Sequence, residues 1–373
     1  MRIGFDARLI SSLGIGRYIS GLLPPLAEML QNRLVVISRR AEVALVRALT
    51  QGRATLMVSD AAPYRTAEQS TLLLRLLQAR LPLIHFPHYN LPLAYPGRFV
   101  VTIHDLFSYR FPDIHAGFLP GTVNRFLISS AARRAAAIIT PSHATADDLT
   151  SRFPSISSRV TAIAEAADAR FSPTRNPEAE IAWQRYFGIR RPYFLYLGQW
   201  KRYKNVPLLI EAFAHLVVQR PDLQLVIGGH DSRHPEVPKA AARLPAGSVV
   251  LPGRLPDDAI PDLYRAAAAV AVPSRAEGFG LPVLEAMACG TTVVCSDLPV
   301  LRELADDVAI FCDPSSPASF AAGLLAALDQ PPDHHRAARG IAKASVFSWK
   351  KAADETVRIY ERNLAGDLES AHT

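Results

Sequence analysis

Two glutamates, Glu277 and Glu285, stand eight residues apart across a predicted helix start. The apolar run Ala266–Val272 before them is typical of a buried parallel strand. Pro282 suits the first turn of a helix, where a missing N–H costs nothing, and Gly290 suits its end. The first backbone N–H groups of this helix would favour a phosphate. Carboxylates beside such a site are poor phosphate ligands but good acceptors for sugar hydroxyls.

The segment Pro273–Gly290 resembles the signature of retaining glycosyltransferases of the GT-B fold, family 4, in which two glutamates are separated by seven residues. The match extends through Glu277-Gly-Phe-Gly-Leu-Pro and Glu285-Ala-Met-Ala-Cys-Gly. The spacing alone is weak evidence, because a capping glutamate and a solvated helix glutamate explain it more simply. The resemblance implies two Rossmann-like, doubly wound α/β domains facing a cleft, with a last helix that crosses back to the first domain. It covers the second domain closely and the first more loosely.

The composition bounds the class of protein. A chain of 373 residues that is 49% hydrophobic can form two domains. It has no run of 18 apolar residues and no charged-then-apolar leader, so we expect neither a spanning helix nor a signal peptide. Cys289, Cys295 and Cys312 have no metal-ligand spacing and are predicted to be buried free thiols of a cytoplasmic protein.

The net charge of +7 lies entirely in the first 150 residues, which hold 16 Arg, no Lys and 9 Asp+Glu. The remainder is neutral, with 25 basic and 25 acidic residues. This asymmetry favours an anionic partner surface, either phospholipid, a lipid diphosphate or nucleic acid, although a solvated arginine-rich surface explains it equally well. Nucleic acid is excluded because the basic residues carry no recognisable motif with interleaved aromatics.

The leucine-rich stretch Thr71–Leu81 is predicted to be a helix with Arg75 and Arg80 interleaved. Packing in the core is the simplest interpretation. Alternatively, its leucines could embed in a bilayer interface while the arginines meet anionic head groups. Membrane contact falls in this part of the first domain in the resembled family, which implies a peripheral location on the inner face of the cytoplasmic membrane.

Alternating strands and helices predict a doubly wound parallel sheet in each domain. The first domain is predicted at residues 1–167 with the last helix, 349–373. The second is predicted at 168–348, and its first residues, Asp168–Pro177, are predicted to be the linker. The strands predicted in the first domain are Arg2–Ala7, Leu34–Ser38, Ala54–Val58, Leu83–Phe86, Phe99–Ile103, Ala137–Thr140 and Arg159–Ala162.

A glycine-containing loop, Ser11–Tyr18, is predicted between the first strand and its helix. It lacks the third glycine of the dinucleotide fingerprint, because Ile19 stands in that place. By resemblance, Gly14, Ile15 and Gly16 face the donor phosphates and the acceptor.

His104 and Asp105 follow a predicted strand at the edge where such sheets bind ligands. A lone histidine there is more often structural, but Thr102-Ile-His-Asp-Leu-Phe resembles the family segment whose histidine reaches the donor sugar. His85 and His88 could be taken for a metal pair, but Pro87 between them argues against the helical geometry of such pairs. No metal site is predicted.

In the second domain, a buried strand ending at Gly198 leads into a loop with Lys201, Arg202 and Lys204. Three cations at a helix entrance suit a diphosphate, although such a cluster is usually a solvated loop. It resembles the donor-phosphate loop of the family, with Lys204 as its lysine. Tyr203 stands where the family usually has arginine, so Lys201 or Arg202 must supply the second cation.

The resemblance implies the following roles. Glu277 orients the sugar hydroxyls, Glu285 the ribose diol and His104 the far side of the sugar, while Arg254 and Leu255 contact the base. His104, Lys204 and Glu277 are the predicted catalytic residues, and Glu277 and Lys204 are expected in exposed loops. The predicted donor site comprises Gly14, Ile15, Gly16, Gly198, Lys201, Arg202, Lys204, Arg254, Leu255, Glu277, Gly278, Phe279, Gly280, Leu281 and Glu285.

The absence of any Asp-x-Asp sequence predicts chemistry without a metal, in which Lys204 and helix N–H groups neutralise the leaving diphosphate. Resemblance to bacterial polysaccharide mannosyltransferases implies GDP-mannose as the donor, with UDP-hexose next, and a glycan or lipid-linked acceptor. A sugar-nucleotide 2-epimerase shares the fold but needs additional acid–base carboxylates. A non-catalytic sensor of nucleotide sugars is the third alternative.

Overall fold

The computed structural model describes residues 1–111, 121–329 and 334–370. They form two parallel sheets, each in its own unit of the chain. One unit is Met1–Ala166 with Ser348–Thr373, and the other is Ala167–Phe347. The second unit is therefore an insertion into the first.

The described residues of the first unit contain seven strands, numbered in chain order: β1 Ile3–Asp6, β2 Leu34–Ser38, β3 Thr55–Val58, β4 Leu83–Phe86, β5 Phe99–Thr102, β6 Ala137–Thr140 and β7 Val160–Ala162. The helices among them are α1 Leu13–Leu30, α2 Val43–Thr50, α3 Leu73–Ala79, α4 Phe107–Arg110, α5 Gly121–Arg134 and α6 His143–Arg152. The strand order is β3-β2-β1-β4-β5-β6-β7.

Both faces of this sheet are covered, which explains why its strands are apolar without alternation. Leu34 and Val36 of β2 belong to a core cluster with α1, whereas Val35 and Ile37 belong to a second cluster on the opposite face. Successive side chains of a strand point to opposite faces, so one apolar run supplies both clusters.

The second unit begins with α7 Pro177–Phe187. Its described strands are β8 Tyr193–Leu197, β9 Gln224–Gly228, β10 Val249–Gly253, β11 Ala269–Val272, β12 Val293–Ser296 and β13 Ile310–Cys312. The helices that follow α7 are α8 Val206–Val217, α9 Glu236–Ala241, α10 Ala259–Ala266, α11 Leu281–Ala288, α12 Pro299–Ala305, α13 Pro317–Asp329 and α14 His334–Ser345. The order is β10-β9-β8-β11-β12-β13.

The predicted fold class is confirmed: both sheets are parallel and doubly wound. The strand order reverses between β1 and β4 in the first unit and between β8 and β11 in the second. Ligands of open parallel sheets bind beyond the carboxyl ends of the strands at these points. The last helix, α15 Trp349–Ser370, belongs to the first unit, where it packs on α1.

Two local features differ from the sequence predictions. The predicted glycine loop is already helical from Leu13, because the Ser12 carbonyl accepts a hydrogen bond from the Gly16 N–H at 2.9 Å and closes the first turn. The apolar run Ala266–Val272 was predicted to be one strand, but Ala266 is the last residue of α10 and β11 begins only at Ala269.

The three cysteines are buried and free, as predicted. None of the described helices is both long and apolar enough to cross a membrane.

Candidate active site

Two strand-end loops meet where the strand order of the second unit reverses. The loop after β8 contains Gly198–Asn205, and the loop after β11 runs from Pro273 to Gly280, where α11 begins. Since β8 and β11 are neighbours in the sheet, the predicted phosphate loop and the glutamate motif share one edge.

An ion pair joins these two loops. Lys204 Nζ lies 2.7 and 2.8 Å from the two carboxylate oxygens of Glu277, and Ser274 Oγ donates a hydrogen bond to Glu277 Oε1 at 2.6 Å. The Lys204 and Glu277 side chains are only 18% and 7% exposed, so the expectation of exposed loops is wrong. Because they are sheltered from water, their mutual attraction is screened less than that of a surface pair. The pair places a cation and a hydroxyl acceptor side by side.

Tyr203 occupies the position at which the resembled family has arginine. Its ring is buried, with Lys201 Nζ 5.9 Å and Lys204 Nζ 5.5 Å from the ring centroid. The Tyr203 carbonyl accepts a hydrogen bond from the Arg275 N–H at 2.7 Å. An aromatic face attracts ammonium groups. Tyr203 therefore lies beside both lysines, while Arg202 is exposed, and the second cation of the loop stays a prediction between Lys201 and Arg202.

The amino end of α11 is built from backbone alone. Gly280 occupies the N-cap with φ +105°, and no side chain caps the helix. A Cβ on Gly280 would lie 2.7 Å from Leu301 Cδ2, so both conformation and space favour glycine. Pro282 lies in the first turn, as predicted. The buried Phe279 ring packs against Phe347, with centroids 6.0 Å apart.

Glu285 lies one turn inside α11, as predicted, but its surroundings were not foreseen. It is 3% exposed and accepts a hydrogen bond from the Tyr264 hydroxyl of α10 at 3.0 Å. A buried carboxylate held in this way has a restricted orientation. Its assignment to the ribose diol stays a prediction.

Glycines tie together the ends of β8, β9 and β10. The Gly198 N–H donates to the Gly228 carbonyl at 3.3 Å, and the Gly229 N–H to the Gly253 carbonyl at 2.8 Å. A Cβ on Gly229, whose φ is +114°, would lie 2.0 Å from the Gly198 oxygen. Gly229 was not predicted from the sequence, although a Gly-Gly pair at a strand end was an available signal.

The two residues predicted to contact the base follow β10 at this same edge. Arg254 is exposed, whereas Leu255 is buried. The structure thus gathers every predicted donor residue of the second unit at the carboxyl edge of its sheet or on α11.

In the first unit, His104 lies just beyond β5, as predicted. Its Nε2 is 2.9 Å from the Pro87 carbonyl and its Nδ1 is 3.2 Å from Glu165 Oε1. Burial by itself lowers the pKa of His104, but the hydrogen bond and charge of Glu165, the Pro87 carbonyl and the charge of Asp105 raise it, and the net shift is upward. Glu165 was not singled out from the sequence, because nothing local marks it.

A buried polar network at the strand reversal of this unit was also missed. Arg8 is 2.7 Å from Asp6 and 2.8 Å from Glu68, whose carboxylate also accepts a hydrogen bond from Asn90 Nδ2 at 2.7 Å. These bonds fix the loops after β1 and β4 to each other. Asp6 ends the apolar strand β1 and Arg8 lies just beyond it, which was the available signal.

His85 and His88 have separate partners. His85 lies within hydrogen-bonding distance of the Tyr360 hydroxyl (2.6 Å) and Thr102 Oγ1 (2.8 Å), while His88 Nδ1 accepts from the Asn90 N–H at 3.2 Å. Burial lowers the pKa of each to about 3. Among the described residues, no group of three or more His, Cys, Asp or Glu is placed to hold a metal ion.

Comparison with known proteins matches both halves of the chain. Residues 14–171 match the family model Glycosyltransferase Family 4, and residues 180–344 match Glycosyl transferases group 1. O-antigen chain mannosyltransferase B of Escherichia coli is 29% identical over 285 residues, which are 74% of this chain and 73% of that protein. D-inositol 3-phosphate glycosyltransferase of Segniliparus rotundus is 33% identical over 181 residues, 46% of this chain but only 40% of that protein.

The fold is shared with solved structures. Anabaena Alr3699/HepE, crystallised with UDP and glucose, superposes with a TM-score of 0.78 over 97% of this chain and 100% of that one, at 19% identity. The two parallel sheets and the two family matches indicate the same family. The chain belongs to the GT-B glycosyltransferases of family 4, which are also described as glycosyl transferases group 1.

Proposed function

We propose that the protein transfers a hexose with retention of configuration, most specifically mannose from GDP-mannose, to a glycan or lipid-linked acceptor in polysaccharide or glycolipid synthesis. The observation that carries this proposal is the Lys204–Glu277 pair at the strand reversal of the second unit. Lysine suits the leaving diphosphate and the carboxylate suits the sugar hydroxyls. Similarity to the E. coli O-antigen chain mannosyltransferase B supports mannose.

In the proposed reaction, the acceptor hydroxyl attacks the anomeric carbon from the face that the diphosphate leaves. The bond to the acceptor oxygen forms as the bond to the diphosphate breaks, and a phosphate oxygen takes the acceptor proton. Lys204, either Lys201 or Arg202, and the amino end of α11 stabilise the leaving charge without a metal. Glu277 holds the sugar hydroxyls, and His104 contacts the far side of the sugar.

The proposed donor is tested by incubating the protein with a panel of sugar nucleotides and measuring release of the nucleoside diphosphate. We expect GDP-mannose to be hydrolysed fastest, and Glu277→Gln to slow this hydrolysis by about a hundredfold. Faster turnover of a UDP-hexose would favour the alternative donor, in line with the UDP and glucose bound by HepE. Conversion to an epimer, or binding without any turnover, would contradict transfer itself.

The same assay tests the chemistry of the leaving group. Because cations and helix N–H groups are proposed to neutralise the diphosphate, activity should survive EDTA. Loss of activity in EDTA, restored by Mg²⁺ or Mn²⁺, would show that the stabilisation is assigned to the wrong groups.

A membrane surface is proposed as the place where a lipid-linked acceptor is met. Helix α3 continues a π-helical turn, Glu68–Leu72, and ends two residues before the predicted Leu81. Its Leu74 and Leu77 are 59% and 43% exposed, and Arg75 and Arg80 are exposed beside them. Exposed leucines among arginines suit the interface of an anionic bilayer. Together with the +7 charge of the first 150 residues, this favours reversible docking.

Co-sedimentation with vesicles tests this surface. We expect binding to anionic but not to neutral vesicles, because each cation near such a surface contributes about 1 kcal/mol. Added salt should release the protein, since screening acts over about 8 Å at physiological ionic strength. Arg75→Glu with Arg80→Glu should weaken binding, while Arg185→Glu, an exposed arginine on α7, should not. Equal binding to both vesicle types would refute the electrostatic basis.

A further inference from the structure

Both ring nitrogens of His104 face oxygen atoms. A backbone carbonyl can only accept hydrogen bonds, so the Pro87 oxygen, 2.9 Å away, requires a proton on Nε2. Glu165 Oε1 is 3.2 Å from Nδ1, and an ionised carboxylate also only accepts. Both contacts are satisfied together when the ring carries two protons and is an imidazolium.

The other groups around the ring agree with this charge state. Asp105 is the next residue and adds a second negative charge. His85 and His88 stay neutral because burial and the charge of His104 lower the pKa of each to about 3. The Tyr18 ring packs edge-on against the imidazole at 4.8 Å, and burial keeps its hydroxyl protonated by raising its pKa. Among the described residues, the titratable groups that interact with His104 are thus two carboxylates and three neutral side chains.

We propose that Glu165 is a positioning residue, which holds His104 as an imidazolium in one ring orientation at the carboxyl edge of the first sheet. The inference adds a positioning residue to the proposed function. It rests on that function only for the contact between His104 and the transferred sugar. The His104 and Glu165 side chains are 15% and 6% exposed, so water competes weakly for the contact. A ring whose two N–H groups are engaged cannot turn freely. The sugar would meet a fixed cationic edge.

The proposal is tested by titrating the histidine side chains by ¹⁵N NMR in the wild type and in Glu165→Gln, with His104→Asn used to identify the signal. An opposite charge at this distance shifts a pKa by about 1–3 units, so His104 should titrate at least about 1 pH unit lower in Glu165→Gln. The alkaline limb of the pH profile of kcat should move down by the same amount. Glu28→Gln, an exposed carboxylate on α1, is the matched control and should change neither readout.

Stability gives a readout that does not depend on activity. A histidine with a raised pKa stabilises the folded state below its unfolded value, about 6.5, and the contribution is lost as pH rises through the folded pKa. The difference in unfolding midpoint between the wild type and Glu165→Gln should therefore be largest below about pH 6.5 and shrink above it. If Glu165→Gln does not fold, Glu165→Asp should give a smaller shift in the same direction.

The outcomes separate this inference from the proposed function. An unchanged His104 titration in Glu165→Gln would overturn the inference even if transfer proceeds. A shifted titration with an unmoved kcat profile would overturn the role of the pair in the reaction. If the wild type transfers no sugar, the proposed function fails, while the NMR titration still decides whether Glu165 holds the imidazolium.

Discussion

Replacing Glu277 by glutamine should lower the rate of transfer by about a hundredfold, which corresponds to about 3 kcal/mol of transition-state stabilisation. The amide keeps the shape of the side chain but loses the charge that Lys204 Nζ contacts at 2.7 and 2.8 Å. Lys204→Met should cost a similar factor through the leaving group. The measurement is kcat and KM for the donor that the panel selects.

The double variant sharpens this test. If the lysine and the glutamate act as a unit, Lys204→Met with Glu277→Gln should be much less than additive in the loss of kcat. Lys343→Met, which breaks a surface ion pair with Asp307 in the same unit (3.1 Å), is the control and should retain full activity. Wild-type turnover in either single variant would contradict the assignment of the site.

Gly21→Ala should destabilise the first unit by about 2 to 3 kcal/mol, because a Cβ there would lie 2.1 Å from Cε2 of Trp349. Trp349 opens α15 and also packs against Tyr18, with ring centroids 5.9 Å apart. The clash therefore pushes the last helix away from α1. Thermal unfolding followed by circular dichroism measures the loss as a lower midpoint.

Gly14→Ala is the matched control on the same helix. Nothing lies within 4 Å of a Cβ at Gly14, so alanine should leave stability unchanged or raise it by up to about 1 kcal/mol through helix propensity. If the two glycine variants unfold alike, the packing of Trp349 is not what fixes α15. Lower activity of Gly14→Ala at undiminished stability would support its predicted contact with the donor.

The strands were predictable from the sequence because their signal is local. Leu34–Ser38, Leu83–Phe86 and Ala137–Thr140 have the bounds that their apolar runs predict, since burial on both faces makes such strands largely apolar. The Glu277–Glu285 motif was equally readable, because its loop and helix lie in one short segment.

The contacts of the site could not be read in this way, because their partners are distant in sequence. His104 and Glu165 are 61 residues apart, and Arg8 and Glu68 are 60 apart. Neither pair has a spacing that a helix or a strand would suggest. The start of α1 was predicted wrongly for a different reason, because glycines usually mark a loop. Here Gly16 lies inside the helix, and glycine is required because a Cβ would lie 2.3 Å from the Ile10 carbonyl oxygen.

The insertion of the second unit into the first has a consequence for synthesis on the ribosome. The His85–Tyr360 contact joins positions 275 residues apart, so the first unit lacks part of its core until the last helix has been translated. Residues 167–347 emerge earlier and contain all the contacts of their own sheet. The second unit can therefore finish folding before the first, although it is made later. A nascent chain that stops before Trp349 leaves the apolar surface of α1 uncovered, and such surfaces are where aggregation begins.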